Sequence, residues 1–363
     1  MSTKINMPDS LLSICFLPGR ESSYARTRVI LKSLQTVEGL KVYDCSCAFK
    51  SKLRYFLSFF QFLKYKNKSD LIFVGFLGQF LIPFVKVCTR KKIILDAFLS
   101  IYQTMVYDRK VFAAGSVLAR LARFFDRMAC RLADIVILDT DQHIQYFQKE
   151  YHFDKRHFVK VLVGSDTSVM HPRDDIAEEK DFLVHFHGEY QPLHGAIYIV
   201  KAAAFLPDIK FQMIGKGREY LQCVQLAQEL HLKNITFLPP VPYEELAQHM
   251  ARASVCLGIF GDTPKTQMVI PHKIYEAIAM KKAVITAETP AARELLEHKK
   301  DVFFCKPEDP RSLTDAIIEL QKNPGLRNHI AANGYRTFEE HCSEKQIGAV
   351  LKHIILSLKS HEN

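Results

Sequence analysis

Short apolar runs alternate with longer amphipathic stretches along almost the whole chain. In the first half the runs are Leu12 to Leu17, Lys41 to Asp44, Leu71 to Phe76, Lys92 to Asp96, Ile135 to Asp139 and Val159 to Val163. In the second half they are Phe182 to His187, Lys210 to Gly215, Ile235 to Leu238, Val255 to Ile259, Ala283 to Thr286 and Val302 to Cys305. Runs of this length, separated by helix-length segments, predict parallel sheets with crossover helices on both faces. Between His171 and Asp181 the sequence HPRDDIAEEKD nearly loses its apolar residues and collects charges and a proline, the composition of a linker. The expected architecture is α/β, with two doubly wound domains over residues 1–172 and 173–363. An amphipathic stretch from about Glu344 to Lys359 follows the last strand and is free to pack back across the first domain.

With 363 residues, 48% hydrophobic and 24% charged, the chain is long for one core and ordinary for two. Its net charge of +10 is unevenly placed: residues 1–172 hold 26 Lys and Arg against 14 Asp and Glu, and residues 173–363 hold 23 against 25. A basic first half suits a membrane surface, a nucleic acid or an anionic substrate, and charge alone does not choose among them. Zinc spacings, RNP-like aromatics and a basic recognition helix are missing, so no nucleic-acid partner is expected. Nine cysteines are scattered singly, which predicts reduced thiols in a cytoplasmic protein. The opening MSTKINMPDS has no cationic stretch leading into an apolar one. The apolar stretch from Leu71 to Val87 is broken by Gln79, Pro83 and Lys86 before it reaches the ~20 residues of a spanning helix.

In an open parallel sheet, ligands meet the carboxyl ends of the strands and the helix N-termini beside them, whose free N–H groups attract anions. The segment GIFGDTPKTQMVIPHKIYEAIAMKKAVIT reads strand, loop, helix, strand. Pro271 suits a first helical turn, and Lys273 and Glu276 then share a face, three residues apart. A lysine there meets phosphate oxygens, and a carboxylate one turn on accepts from both hydroxyls of a ribose. Taken alone, the two residues read more simply as a weak surface pair, and it is the surrounding motif that favours the nucleotide. Gly215 and Gly217 form a GxG at a strand-to-helix turn, which a tight turn explains as well as a phosphate does. His185, His187 and His194 raise the question of zinc, but no fourth ligand is suitably spaced. Asp139-Thr140-Asp141 imitates a metal-binding DxD yet opens a helix, where Asp and Thr are ordinary caps, so no metal site is expected.

In this order the motifs resemble the C-terminal half of retaining glycosyltransferase family 4 (glycosyl transferases group 1), whose GT-B fold sets two Rossmann-like domains face to face across a cleft. YEAIAMKKAVIT resembles the family's E-A-x-A helix and following strand, and Pro271, His272, Lys273 and Glu276 resemble its P-x-K-x-x-E variant. The resemblance implies that Glu276 binds the donor ribose and that Val269, Ile270, Pro271, His272 and Lys273 hold the diphosphate and sugar. It assigns Gly188, His194, Gly195, Gly215 and Gly217 to the same donor site and puts the nucleobase near Val241. Two departures stand out. The family's second glutamate, eight residues before Glu276, is Met268 here, and the Arg and Lys of its G-R-x-x-x-x-K-G loop are replaced by Glu189 and His194. On the acceptor side, FLPGRESSYARTR sets Gly19, Arg20, Tyr24 and Arg26 beside a helix start, where arginines call for an anion. Asp96 ends the fourth strand and joins Lys273 and Glu276 as a catalytic candidate, although a structural cap accounts for it equally. The implied reaction is hexosyl transfer from a nucleotide-diphosphate sugar to a glycan or glycolipid, with retention and with neither a cofactor nor a protein-bound metal.

Phe49 to Lys68 holds six Lys or Arg and no acid. As a helix it aligns Leu53, Phe56, Leu57, Phe60 and Leu63, a face for a protein core or for an anionic bilayer. On the bilayer reading, with Arg90, Lys91 and Lys92 extending the patch, the protein is peripheral on the inner face of the membrane and its acceptor is lipid-linked or a lipopolysaccharide. Two other functions fit the same scaffold: a basic binding protein without chemistry, and a sugar-nucleotide epimerase.

Overall fold

The computed structural model describes residues 12–48, 51 and 53–360. Six parallel strands build the first sheet: β1 (Leu12–Pro18), β2 (Leu40–Asp44), β3 (Leu71–Gly75), β4 (Ile93–Phe98), β5 (Ile135–Leu138) and β6 (Phe158–Lys160), in the order β2-β1-β3-β4-β5-β6. Six more build the second: β7 (Leu183–Glu189), β8 (Lys210–Lys216), β9 (Ile235–Leu238), β10 (Val255–Leu257), β11 (Val284–Ala287) and β12 (Phe303–Cys305), in the order β12-β11-β10-β7-β8-β9. Central strands such as β3 and β11 are buried at every residue, because helices cover both faces; hence their unbroken apolar sequences. The winding reverses between β1 and β3 in one sheet and between β7 and β10 in the other, and such reversals open a crevice at the carboxyl ends. The two crevices face each other in two Rossmann-like domains.

The apolar stretch after Leu71 resolves into β3, a single turn at Gly78–Phe80 and the short helix Ile82–Cys88, with Pro83 in its first turn. No helix among the described residues is long and apolar enough to cross a membrane. The helix Leu53–Tyr65 turns its faces in an unexpected way: Ser58 and Phe62 are buried, whereas Leu53, Phe56 and Phe60 are exposed. Phe49, Lys50 and Lys52 lie outside the described residues.

The helix Glu344–Ser360 crosses to the first domain. It inserts Ile347, Leu351, Ile354, Ile355 and Leu358, one helical stripe, into a core that also contains Leu12, Ile14, Phe16, Val29 and Leu34. Gly348 allows the close approach, since a Cβ there would lie 2.6 Å from the Ser33 carbonyl oxygen. Gly164, in the segment leaving the first sheet, is held at φ +68°, and a Cβ on it would strike the Cys342 oxygen at 2.6 Å.

Further contacts bind the domains directly. Thr140 Oγ1 donates to the Met268 carbonyl at 2.6 Å, and Gln103 Nε2 donates to the Met268 sulfur at 3.0 Å. The position where the family resemblance calls for a second glutamate is therefore an interdomain contact. Glu294 of the second domain accepts from the N–H groups of Asp141 and Gln142 at 2.7 and 2.9 Å, placing its charge on the N-terminus of the helix Asp141–Tyr151.

Candidate active site

The facing strand ends enclose a cavity of about 430 Å³. A depression of about 540 Å³ lies elsewhere, between Arg293 and Arg336, but the interdomain cavity is where buried polar groups converge. Its floor is the helix His272–Ala279. Pro271 precedes this helix in extended backbone (φ −72°, ψ 151°), so it caps the helix instead of forming the first turn. Lys273 is 5% exposed, and its Nζ comes within 3.1 Å of the point where Gly188, at the end of β7, would carry a Cβ. The ammonium sits 4.0 Å from the centre of the Phe186 ring and has no hydrogen-bond partner. Burial lowers its pKa to about 7, against the pull of Glu276 and Glu189.

One turn along, Glu276 accepts a hydrogen bond from His187 Nε2 at 2.9 Å. Burial alone would raise the carboxyl; the His187 hydrogen bond, the nearby charges of His187 and His272, and the Tyr243 hydroxyl overcome it and hold the pKa near about 2. Behind His187, Nδ1 lies 3.1 Å from His185 Nε2, and His185 Nδ1 lies 3.2 Å from Gln212 Oε1. Each ring nitrogen of the two histidines has a partner, and His187 Nε2 donates to the carboxylate. The alternate β7 positions 185 and 187 thus form a relay that keeps Glu276 an acceptor and fixes its aim. They are not arranged as metal ligands, and among the described residues no group of three or more His, Cys, Asp and Glu is placed to hold a metal.

Around this pair, His194 Nδ1, both ring nitrogens of His272 and His143 Nε2 lack partners while lining the same cavity. Burial lowers His272 to about 4, and burial together with Lys273 and Lys265 takes His194 well below its usual value. Buried polar atoms in finished structures are almost always bonded, so a cluster of orphans marks a place where a ligand supplies the partners. Phe98 reaches the cavity through a β-bulge that holds it at φ +60°, a strained geometry of the sort that collects at functional sites.

Of the other expected site residues, Val269, Ile270, Arg20 and Tyr24 line the cavity. Several do not. Asp96 and Arg26 are removed from catalysis and from acceptor binding by each other: both carboxylate oxygens of Asp96 accept from Arg26, at 3.0 Å each, in a pair with no more than 1% exposure on either side. Arg26 also donates to the carbonyls of Leu162 and Val161, so it meets its anion inside the fold. Gly19 packs on the neighbouring loop, where a Cβ would lie 2.2 Å from the Leu77 oxygen. Gly215 and Gly217 allow β8 to approach β7, their Cβ positions falling 2.0 Å from Gly188 O and 2.4 Å from Tyr190 N. Gly195 caps the helix Ala196–Ala204 in a left-handed conformation against Gly261. Val241 stands in the loop before the helix Tyr243–Arg252, outside the cavity lining.

Residues 171–337 match the model of the family described as glycosyl transferases group 1. That segment is a group 1 glycosyltransferase domain. Similar sequences include a D-inositol 3-phosphate glycosyltransferase of Nocardioides, 25% identical over 55% of this chain and 48% of that protein. An uncharacterized glycosyltransferase of Methanocaldococcus jannaschii is 23% identical over 46% of each chain. This chain spans about half the length of the curated relatives it matches. In fold it is similar to the sucrose-phosphate synthase of Thermosynechococcus elongatus (TM-score 0.74, 14% identity, 96% of this chain and 100% of that one). It is also similar to Anabaena HepE, solved with UDP-glucose (TM-score 0.71, 16% identity, 95% and 100%). The architecture is GT-B. In the group 1 domain, spacing along one helix made Lys273 and Glu276 visible in advance. His187, which aims Glu276, carried a signal in its alternation with His185. Lys265, Asp108 and Arg109, which also line the cavity, carried none: Asp108 and Arg109 stand at the end of the short, widened helical segment Thr104–Asp108, and Lys265 stands in a turn, so no regular periodicity points to them.

Proposed function

We propose that the protein transfers a glycosyl group from a nucleoside-diphosphate sugar to an acceptor held by the first domain, with retention at the anomeric carbon. The observation that carries this is the unpartnered, buried Lys273 ammonium at a helix start, one turn from a carboxylate held charged by His187. The helix N-terminus and Lys273 take the diphosphate, and their attraction grows as negative charge collects on the leaving group, which is where rate enhancement arises. Glu276 accepts from the ribose hydroxyls. A donor phosphate oxygen removes the acceptor proton on the face that the phosphate leaves, so configuration is retained. Thermal unfolding with UDP, GDP, ADP, CDP and dTDP tests the reading: one base should raise the midpoint. UDP is the first to try, since HepE was solved with UDP-glucose. No shift with any of the five at millimolar concentration would remove the donor site.

The acceptor is proposed to be lipid-linked or part of a lipopolysaccharide or other polysaccharide, reached from an anionic membrane surface on the cytoplasmic side. Exposed apolar residues support this, gathered on three helices of the first domain: Leu53, Phe56 and Phe60; Phe84 and Val87; and Val117, Leu118, Leu121 and Phe124. The helices are neighbours: the Phe59 ring of the first lies 6.4 Å from the Phe84 ring of the second, and Phe80, in the turn leading into the second, lies 4.8 Å from Phe125 of the third. Lys64, Lys86, Arg90, Arg120 and Arg127 are exposed on or beside the same helices. Phe56→Asp combined with Phe84→Asp should abolish co-sedimentation with vesicles containing phosphatidylglycerol. Equal sedimentation of the variant and the unsubstituted protein would exclude this surface.

A further inference from the structure

The phosphate side of the cavity is short of positive charge. The loop from Gly188 to His194 contributes the Glu189 carboxylate and a buried imidazole, and the helix start contributes Lys273 alone. One ammonium is a weak counterweight for a diphosphate ester with more than one negative charge. A second cation reaches this wall from the loop after β10. Lys265 lines the cavity, is 8% exposed, and lies near enough to His194 to disfavour protonation of that ring. Its Nζ is 3.0 Å from Asp108 Oδ2 and 3.5 Å from Thr104 Oγ1, both in the first domain. Asp108 is also buried and lines the cavity, and its second oxygen has no partner.

The anion beside the buried Lys265 ammonium belongs to the opposite domain, and breaking a buried ion pair without supplying a replacement is strongly destabilising. We propose that Lys265 is a phosphate-binding cation of the donor site and that Asp108 is the carboxylate occupying its place until the donor diphosphate takes the ammonium. This inference rests on the donor-site reading above. Arg109, beside Asp108, repeats the arrangement at the rim, with its guanidinium 3.5 Å from Glu189. Phosphate arrival therefore exchanges an interdomain ion pair for a ligand contact, which couples donor binding to the seating of the segment from Thr104 to Asp108 across the cleft.

Titration calorimetry of the unsubstituted protein, Lys265→Met, Lys265→Arg and Asp108→Asn tests this, using the diphosphates and monophosphates of uridine, guanosine, adenosine, cytidine and thymidine. Lys265→Met should weaken the diphosphate at least tenfold and the matching monophosphate by less than threefold. Lys265→Arg should keep the diphosphate within about threefold. Asp108→Asn, which removes the competing charge and keeps the side-chain shape, should tighten the diphosphate severalfold. That opposite sign separates the proposal from a purely structural latch, which both variants would weaken alike. Equal weakening, or unchanged diphosphate affinity in Lys265→Met, would overturn the inference and leave the donor site standing. No binding of any nucleotide to the unsubstituted protein would end both.

Discussion

Glu276→Gln is expected to lower the affinity for the nucleoside diphosphate by about 10- to 100-fold. Hydrogen bonds to a charged acceptor contribute about 1.5–3 kcal/mol against about 1 kcal/mol for neutral ones, and two ribose hydroxyls lose that difference together. The side chain keeps its length, so the site keeps its shape. What changes is the acceptor: the amide's one oxygen still accepts from His187 Nε2, and the NH2 group turned to the ribose offers hydrogens where lone pairs were needed. A ligand at 100 times its dissociation constant stabilises the unsubstituted protein by about 2.7 kcal/mol; at the same concentration the variant should show little of that stabilisation. Thermal unfolding with and without nucleotide reads it directly. An undiminished shift in Glu276→Gln would move the ribose elsewhere.

Lys273→Met is expected to remove turnover by about 100- to 1000-fold while making the unliganded protein more stable. The rate loss is that of deleting one preorganised charge from a developing anion. Stability moves the other way because the ammonium is buried without a partner, and a thioether of similar length has no charge to desolvate. Folding drops the Lys273 pKa from 10.5 to about 7. Between those values the unfolded chain keeps a proton that the folded one has released, so stability climbs with pH across that window. The penalty is fully present below about pH 7 and amounts to roughly 5 kcal/mol at about 1.4 kcal/mol per pH unit. Lys273→Met should flatten that slope in denaturant titrations between pH 7 and pH 10. Diphosphate binding at pH 8 should draw one proton back onto Lys273, seen as a binding enthalpy that varies with the ionisation enthalpy of the buffer. A buffer-independent enthalpy would show that the phosphate does not meet this ammonium.

How far the sequence revealed the structure follows from how local each feature is. The central strands were legible because β3, β7 and their neighbours are buried on both faces, and two-sided burial writes itself as an apolar run; the edge strands β2 and β9, with no fully buried residue, were placed by their position between helix-length segments. Lys273 and Glu276 were legible because one helix carries both. Asp96 and Arg26 were misread for the converse reason: each stands where a functional charge belongs, and the partner that neutralises it lies 70 residues away. For the helix Leu53–Tyr65, periodicity told which residues share a face and said nothing of which way that face turns. Lys265 and Asp108 became a pair only when two domains met.

The helix Glu344–Ser360 gives the molecule an unusual order of assembly. The core around β1 is complete only when a segment made about 180 residues after β6 returns to it. During synthesis the first domain thus waits with an uncovered apolar face while the whole second domain is made and folds. The half that is translated first is the half whose core closes last, and a chain halted between the two domains is expected to leave that apolar face uncovered.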